Sequence, residues 1–293
     1  MNIQSLFVNL GKLLLCGLLF SMGAIIGGLV VTTLGLQQPP MPEGLESQSA
    51  MFSLLLESPL LALILALLAR HLAGGFWARS LMLASLTWIS NSLNNQIEAS
   101  AFAGMESGFL FTITTFLFPA LFISMAAAWL FPPVAPNTFT DTAKSFFSRY
   151  SPGGWTWRLA LAVVSFMPIY YFFGMLVIPI TRSYYQQNMY GLEIPSIDRL
   201  LTILFIRSVL FLIACLPFLI AWQSSNWNLI LRLGLALFYL VGFQSLLIAN
   251  WMPWSLRLPH MIEILFDEFV YAGALMWLLG VSTPVSQLSV AQT

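Results

Sequence analysis

The sequence predicts an all-α, polytopic integral membrane protein, built as a bundle of about eight transmembrane helices. Apolar residues make up 59% of the chain and charged residues only 8%, and the mean hydropathy is +0.86. Soluble domains carry about 25% charged residues, so this chain has too few charges to cover a surface that faces water. Eleven basic residues balance eleven acidic ones, which leaves no basic surface for nucleic acid. The composition excludes soluble enzymes and nucleic-acid-binding proteins. It predicts that the protein lies in a lipid bilayer, which is therefore its first predicted partner.

Eight apolar segments are long enough to cross a membrane. A transmembrane helix needs about 20 predominantly apolar residues, and a helix satisfies its own backbone polar groups within lipid. The predicted spans lie near 12–36, 51–70, 79–103, 108–131, 158–180, 199–221, 228–249 and 260–281. The stretches between them are too short for a soluble domain, so residues 1–293 are predicted to form a single transmembrane domain.

The first apolar segment is predicted to remain in the protein as a span. It runs from Leu13 to about Leu36, longer than the roughly 7–15 residues of a signal-peptide core. Leu15, directly before Cys16, does not provide the small residue of a lipoprotein cleavage site. Gly23 and Gly27 form a GxxxG arrangement, which predicts close contact with another helix.

The distribution of Lys and Arg near the span ends predicts that both termini are cytoplasmic. Cytoplasmic ends of membrane helices carry an excess of these residues. With a cytoplasmic N-terminus, the inner side would hold Lys12, Arg70, Arg79, Lys144, Arg149, Arg158 and Arg232, and the outer side Arg182, Arg199 and Arg257.

Six ionisable residues fall inside the predicted spans: Glu57, Glu98, Arg207, Glu263, Asp267 and Glu268. A charge within the bilayer is costly, so each such residue is by default a functional-site hypothesis. In the predicted orientation all six lie in the outer half of the membrane. Structural pairing between helices, or a long side chain that reaches the interface, is the alternative explanation for any one of them.

Two spans also present polar stripes at helical spacing. Asn91, Asn94, Asn95 and Glu98 follow i, i+3, i+4, i+7, and His260, Glu263, Asp267 and Tyr271 follow i, i+3, i+7, i+11. These stripes predict an acidic polar chamber, open to the extracytoplasmic side and lined by the second, third, sixth and eighth spans. The candidate binding residues are Glu57, Asn91, Asn95, Glu98, Arg207, His260, Glu263, Asp267 and Tyr271.

Three functions remain open on this evidence. The first is binding or transport of a cation, a proton or a small polar solute; the second is an intramembrane enzyme acting on a lipid or lipid-linked substrate; the third is an accessory subunit bound to another membrane protein. Only two histidines are present and no hydrolase, zincin or phosphate-binding motif appears, so catalytic residues, metal and cofactor stay unassigned. Neutralising Glu98 or Asp267 is expected to abolish activity with little effect on folding.

Many transporters carry an inverted repeat, but this sequence shows only a short echo between Leu93-x-x-x-Ile97-Glu98 and Leu258-x-x-x-Ile262-Glu263, which chance explains. The two glutamates also lie at opposite ends of their predicted helices, which an inverted repeat would not produce. The segment 140–150 is predicted as either a short interfacial helix or a plain loop. The segment 184–194 is predicted as a loop at the membrane interface, with a lid or a docking surface as the alternative.

Overall fold

A computed structural model describes residues 3–39, 47–104, 106–135, 137–249 and 251–281. Regular structure in these ranges is helical, as predicted, apart from one isolated bridge described below. The α-helices are α1 (Ile3–Thr33), α2 (Ser47–Ala69), α3 (Phe76–Thr87), α4 (Asn95–Phe102), α5 (Phe109–Leu130), α6 (Phe139–Phe147), α7 (Pro152–Gln186), α8 (Ile197–Ala221), α9 (Asn226–Phe238), α10 (Gln244–Ile248) and α11 (Trp254–Leu279). Two π-helical segments, Trp88–Asn94 and Tyr239–Phe243, join α3 to α4 and α9 to α10.

Within the described ranges, five helical stretches are long and apolar enough to cross a membrane. They are Gln4–Thr33, Glu106–Leu130, Pro152–Gln186, Ile197–Ala221 and Asn226–Ile248, which is consistent with an integral membrane protein. The other three predicted spans are helical too. The second lies in α2, of which Glu57–Ala69 counts as a shorter apolar helix. In the third, the α3–α4 stretch carries a run of Ser and Asn, and in the eighth, α11 carries three carboxylates. Because of these polar residues, the third and eighth predicted spans do not match the simple length-and-hydropathy rule, and the count of eight spans is not established.

The helices form two units with the same succession of elements, which the sequence analysis missed. The first unit covers α1–α5 (3–130) and the second covers α7–α11 (152–279), with α6 between them. Each unit has a long first helix, a second helix, a third helix interrupted by a π-helical segment, and a last helix. Adding 150 to a residue number in the first unit gives the equivalent position in the second, as from Leu72 to Trp222. The units therefore form a tandem repeat rather than the inverted repeat that was considered.

Packing alternates within and between the two units. In each unit the first helix packs on the last, so α1 lies against α5 and α7 against α11. Between the units the second helix of one contacts the interrupted helix of the other, so α2 lies against α9, and α8 against α3, the first π-helical segment and α4. The predicted close approach at the GxxxG motif occurs between α1 and α5: a Cβ atom on Gly23 would lie 2.6 Å from Pro119 Cα.

Basic side chains bind the C-terminal carbonyl groups of two helices at one end of the bundle. Lys12 Nζ donates to Leu130 O over 3.0 Å, and Arg79 Nη2 donates to Ala128 O over 2.6 Å, at the end of α5. Arg149 and Arg158 do the same at the end of α11, where Arg158 Nη1 donates to Leu278 O over 2.6 Å. Cations at a helix C-terminus are favoured by the helix dipole. These residues, which the sequence assigned to the cytoplasmic side, therefore have a structural reason for their positions as well.

The two connecting segments take defined conformations. Residues Phe139–Phe147 form the helix that was one of the two expectations for 140–150, and it begins where the Thr138 hydroxyl accepts a hydrogen bond from Asp141 N. The 184–194 segment ends α7 and then forms a 3₁₀ turn over Met189–Gly191. Glu193 N donates to Phe102 O over 2.8 Å, so this segment lies against the end of α4.

Candidate functional site

A polar cavity of about 350 Å³ lies between the two units. Its walls come from α4, α7, α8, α10, α11 and the second π-helical segment, and the loop residues Leu192, Trp251 and Met252 lie at one end. This end is the one that the sequence assigned to the extracytoplasmic side. The polar residues that line the cavity are Asn95, Glu98, Tyr170, Tyr185, Arg207, Ser245, His260, Glu263, Asp267 and Glu268.

A buried ion pair joins the units across this cavity. Arg207 Nη1 on α8 lies 2.6 Å from Glu98 Oε1 on α4. The Arg207 side chain is 2% exposed and the Glu98 side chain 29% exposed, so Glu98 forms the accessible side of the pair. Tyr170 on α7 donates its hydroxyl to the same Glu98 oxygen over 3.2 Å, and the guanidinium lies 5.7 Å from the Tyr170 ring centroid. Arg207 is thus positioned by its ion pair with Glu98 and by a cation–π contact with Tyr170, which also hydrogen-bonds to Glu98.

His260 and Glu263 form a second polar pair in the first turns of α11. His260 Nδ1 lies 2.8 Å from Glu263 Oε2, and His260 Nε2 lies 3.4 Å from the Tyr185 hydroxyl on α7. The ring of His260 is therefore held between a carboxylate and a phenol, which fixes its orientation. Gly174 on α7 allows Glu263 to approach, since a Cβ atom there would lie 3.2 Å from Glu263 Oε1.

Two carboxylates on α11 lack a matching donor. Asp267 is 3% exposed and Glu268 is 1% exposed, and both line the cavity. Asp267 Oδ1 and Glu268 Oε2 have no hydrogen-bond partner within the described part of the chain. A buried polar atom without a partner is costly. These two acceptor oxygens, together with Arg207 Nε, which also has no partner in this part of the chain, are places in the cavity where a polar ligand could bind.

A separate polar cluster lies between α2, the first π-helical segment and α10. Gln244 Nε2 donates to Glu57 Oε2 over 2.8 Å, and Asn91 Nδ2 donates to Gln244 Oε1 over 3.2 Å. Tyr239 donates its hydroxyl to Glu57 O over 2.8 Å. Glu57 and Arg207 occupy equivalent positions in the two units, and each contacts the interrupted helix of the other unit. This cluster ties the units together and does not line the cavity.

The structure therefore brings together only part of the predicted set. Asn95, Glu98, Arg207, His260, Glu263 and Asp267 line one cavity, whereas Glu57, Asn91 and Tyr271 do not. Asn95 Nδ2 is bonded to Leu240 O over 3.0 Å. Tyr271 is fully buried among aromatic rings, 5.3 Å from Phe166 between centroids. Tyr170 and Tyr185 were missed, because nothing in the apolar sequence of α7 distinguishes them from interfacial tyrosines.

An apolar cavity of about 390 Å³ adjoins the polar one. It lies between α7, the start of α8 and the segment before it, and most of its lining is apolar, including Tyr171, Met175, Val177, Ile178, Ile194 and Leu200. Met175 is 59% exposed and Ile178 is 48% exposed, so this cavity opens on the outer surface of the bundle. The two cavities share one wall, formed by Phe102, Tyr170, Tyr185, His260 and Glu263.

Within the described residues, no group of three or more His, Cys, Asp or Glu side chains is arranged to hold a metal ion. Comparison with known proteins finds no matching family model, no similar curated protein and no similar solved structure.

Proposed function

We propose that this chain binds, and moves across the membrane, a small solute that carries a positive charge or an exchangeable proton. The observation that carries the proposal is the pair of buried carboxylates, Asp267 and Glu268, whose Oδ1 and Oε2 atoms have no donor in the described chain and line a cavity. Four carboxylates line this cavity against Arg207 and His260. A cationic ligand would supply both the missing donors and the missing positive charge.

The tandem arrangement supports the transport part of this proposal. Secondary transporters often contain structural repeats, with the substrate at their interface and with interrupted helices beside it. Here the Glu98–Arg207 pair crosses between the units, and both π-helical segments lie next to the polar clusters; π-helical segments are frequent at functional sites. Four helices in each unit fit eight crossings, with both termini in the cytoplasm and the polar cavity facing the extracytoplasmic side.

A binding experiment tests this function first. Purified protein in phosphatidylcholine nanodiscs is titrated with ethylammonium, with sodium and potassium as comparison cations at constant ionic strength, and the unfolding midpoint is recorded. A ligand at 100 times its Kd stabilises the folded state by about 2.7 kcal/mol. The stabilisation is expected to disappear in Asp267→Asn/Glu268→Gln and to persist in Glu106→Gln, since Glu106 is an exposed partner of Arg199 outside the cavity.

Flux is then measured in sealed proteoliposomes with an internal pH-sensitive dye. We expect ethylammonium to change the internal pH faster with the protein than without it, and the double variant to match empty liposomes. No binding of any cation, or equal binding by the wild type and the double variant, would overturn the proposal.

An intramembrane enzyme is the second candidate, and one observation favours it. His260 is oriented by Glu263 and lies beside Tyr185 on the wall shared by both cavities, an arrangement suited to a general base. Incubating the purified protein with a total lipid extract, followed by mass spectrometry, tests this function. Conversion of a lipid that is lost in His260→Ala would favour the enzyme, and an unchanged extract would exclude it for the lipids present.

A further inference from the structure

We infer that the solute is a single-chain amphiphile with a protonated amine head, whose apolar chain lies in the cavity between α7 and α8. This inference rests on the proposed function and adds the chemical class of the ligand. It starts from the relation between the two cavities, which share the wall of Phe102, Tyr170, Tyr185, His260 and Glu263. A molecule that occupies the apolar cavity has its other end at this wall.

The apolar cavity favours a chain that arrives from the bilayer. Met175 and Ile178 on α7 and Ile194 before α8 line it and are exposed on the surface of the bundle. In a membrane such a surface meets lipid, because water does not reach the hydrocarbon region. Val177 and Leu200 continue this apolar lining, and its polar members besides the shared wall are Thr181, whose hydroxyl donates to Val177 O over 3.1 Å, and Arg182. A volume of about 390 Å³ lies within the range of small-ligand pockets.

The polar cavity selects the head group by charge and by hydrogen bonding. Glu263 faces both cavities, and Asp267 and Glu268 lie beyond it with acceptor oxygens that lack donors. The two basic side chains in the described part of this lining each lie beside a carboxylate: Arg207 Nη1 is 2.6 Å from Glu98 Oε1, and His260 Nδ1 is 2.8 Å from Glu263 Oε2. Arg207 Nε has no acceptor among the described residues. A phosphate or carboxylate head would bring further acceptor oxygens to carboxyl groups that already lack donors, whereas an ammonium head supplies N–H donors and a positive charge beside them. The tyrosine rings at the wall add a surface that attracts cations.

One substitution tests the binding of the apolar chain independently of the binding of the head group. Val177 lines the apolar cavity only, so Val177→Trp fills the space for the chain and leaves the polar cavity intact. Leu176, its neighbour on α7, is 60% exposed and lines neither cavity, so Leu176→Trp is the matched control. Both variants carry the same new side chain in the same helix.

The experiment measures binding of dodecylamine, dodecanol and ethylammonium to protein in phosphatidylcholine nanodiscs. Concentrations of the long-chain probes are expressed per mole of lipid, because both partition into the bilayer. We expect dodecylamine to bind at least tenfold more tightly than dodecanol. Val177→Trp should weaken dodecylamine at least tenfold and leave ethylammonium unchanged, and Leu176→Trp should change neither.

The outcomes separate this inference from the function on which it rests. If ethylammonium binds in a manner that requires Asp267 and Glu268, but Val177→Trp leaves dodecylamine unaffected, the chain does not occupy the apolar cavity and the inference fails alone. If neither amine binds, both fail. Equal binding of dodecanol and dodecylamine would overturn the choice of head group.

A photoreactive dodecylamine analogue keeps the test independent of variant folding. On the wild-type protein, labelled peptides should come from α7 around Val177 and Thr181 and from Leu200 on α8. Labelling should be suppressed by excess dodecylamine and not by dodecanol. Labelling that is spread over the lipid-facing surface and not suppressed by dodecylamine would overturn the inference.

Discussion

Leu72 and Trp222 form an antiparallel bridge between the two units of this protein. Ala73 N donates to Ala221 O over 2.7 Å, and Gln223 N donates to His71 O over 2.8 Å. The bridge joins the turn after the second helix of one unit to the equivalent turn of the other. The two residues occupy equivalent positions, so each unit contributes the same turn to the bridge. It is at the opposite end of the bundle from the polar cavity.

Replacing Trp222 should therefore destabilise the contact between the units. Trp222 is fully buried, whereas Trp227, in the first turn of α9, is 73% exposed. We expect Trp222→Ala to lower the free energy of unfolding by about 3–5 kcal/mol, as for other buried aromatic residues. Trp227→Ala should change it by less than about 0.5 kcal/mol. Denaturation in detergent micelles measures the free energy of unfolding of both variants. Equal losses would mean that the contact at the bridge contributes no more to stability than the exposed Trp227 does.

Glu98 and Asp267 are expected to behave differently when neutralised, although the sequence treats them alike. Glu98→Gln leaves Arg207 buried without its partner, and breaking a buried pair costs about 3–5 kcal/mol; the 29% exposure of Glu98 favours the lower end. Asp267→Asn replaces a buried carboxyl group, whose Oδ1 has no donor among the described residues, by an amide of the same size, so the stability of this variant should match or exceed that of the wild type.

A double variant checks the reason for this difference. Glu98→Gln/Arg207→Met removes both charges, and replacing both members of a buried pair by groups of similar size is often neutral. We expect the double variant to recover most of the stability that Glu98→Gln loses. If the double variant is less stable than Glu98→Gln alone, the ion pair is not the cause.

The helices were predictable because the length of an apolar run and the need to satisfy backbone groups in lipid leave few alternatives. The polar cluster of Glu98, Arg207, Glu263 and Asp267 was predictable for a related reason, since charges within apolar runs have to face one another or a cavity. The sequence could not separate Glu57 from this cluster. Depth along a helix can be counted from residue numbers, but the rotation of α2 toward Gln244 depends on packing between the units.

The tandem repeat left almost no trace in the sequence. Trp77 and Trp227 occupy equivalent positions, as do Ser58 and Ser208, but such matches are common when both units use the same few apolar and small residues. The site is also present once rather than twice. Asp267 and Glu268 correspond to Leu117 and Phe118 in the first unit, so a search for repeated polar residues finds nothing. Because a span in lipid needs apolar or small residues at most positions but no particular one, the two units can share a backbone arrangement without sharing a recognisable sequence.

The contact between α1 and α5 should be sensitive to a single methyl group. A Cβ atom on Gly27 would overlap the carbonyl group of Thr115, whereas one on the adjacent Gly28 would have no neighbour within 4 Å. We expect Gly27→Ala to destabilise the protein by about 1–3 kcal/mol, the range for overpacking. Gly28→Ala should be neutral or more stable by up to about 1 kcal/mol, because alanine favours helix. Unfolding midpoints of the two variants, which differ only in position, measure the effect, and equal values would contradict a tight α1–α5 contact.

His71 should make stability depend on pH at the end of the bundle that holds the bridge. Its ring lies 5.3 Å from that of Trp222, and burial lowers its pKa below the usual 6.5, with the charges of Arg232 and Arg70 adding to the effect. A lowered folded-state pKa means that the unfolded chain takes up a proton first. The contribution of His71 to stability is therefore fully present above about pH 6.5 and is lost as the pH falls below this value.

The unfolding free energy, measured between pH 8 and pH 5, should fall less steeply with decreasing pH in His71→Gln than in the wild type. Arg70→Gln should give an intermediate slope, because it removes one of the charges and leaves the burial. Identical slopes in all three proteins would show that His71 takes up its proton equally in the folded and unfolded states.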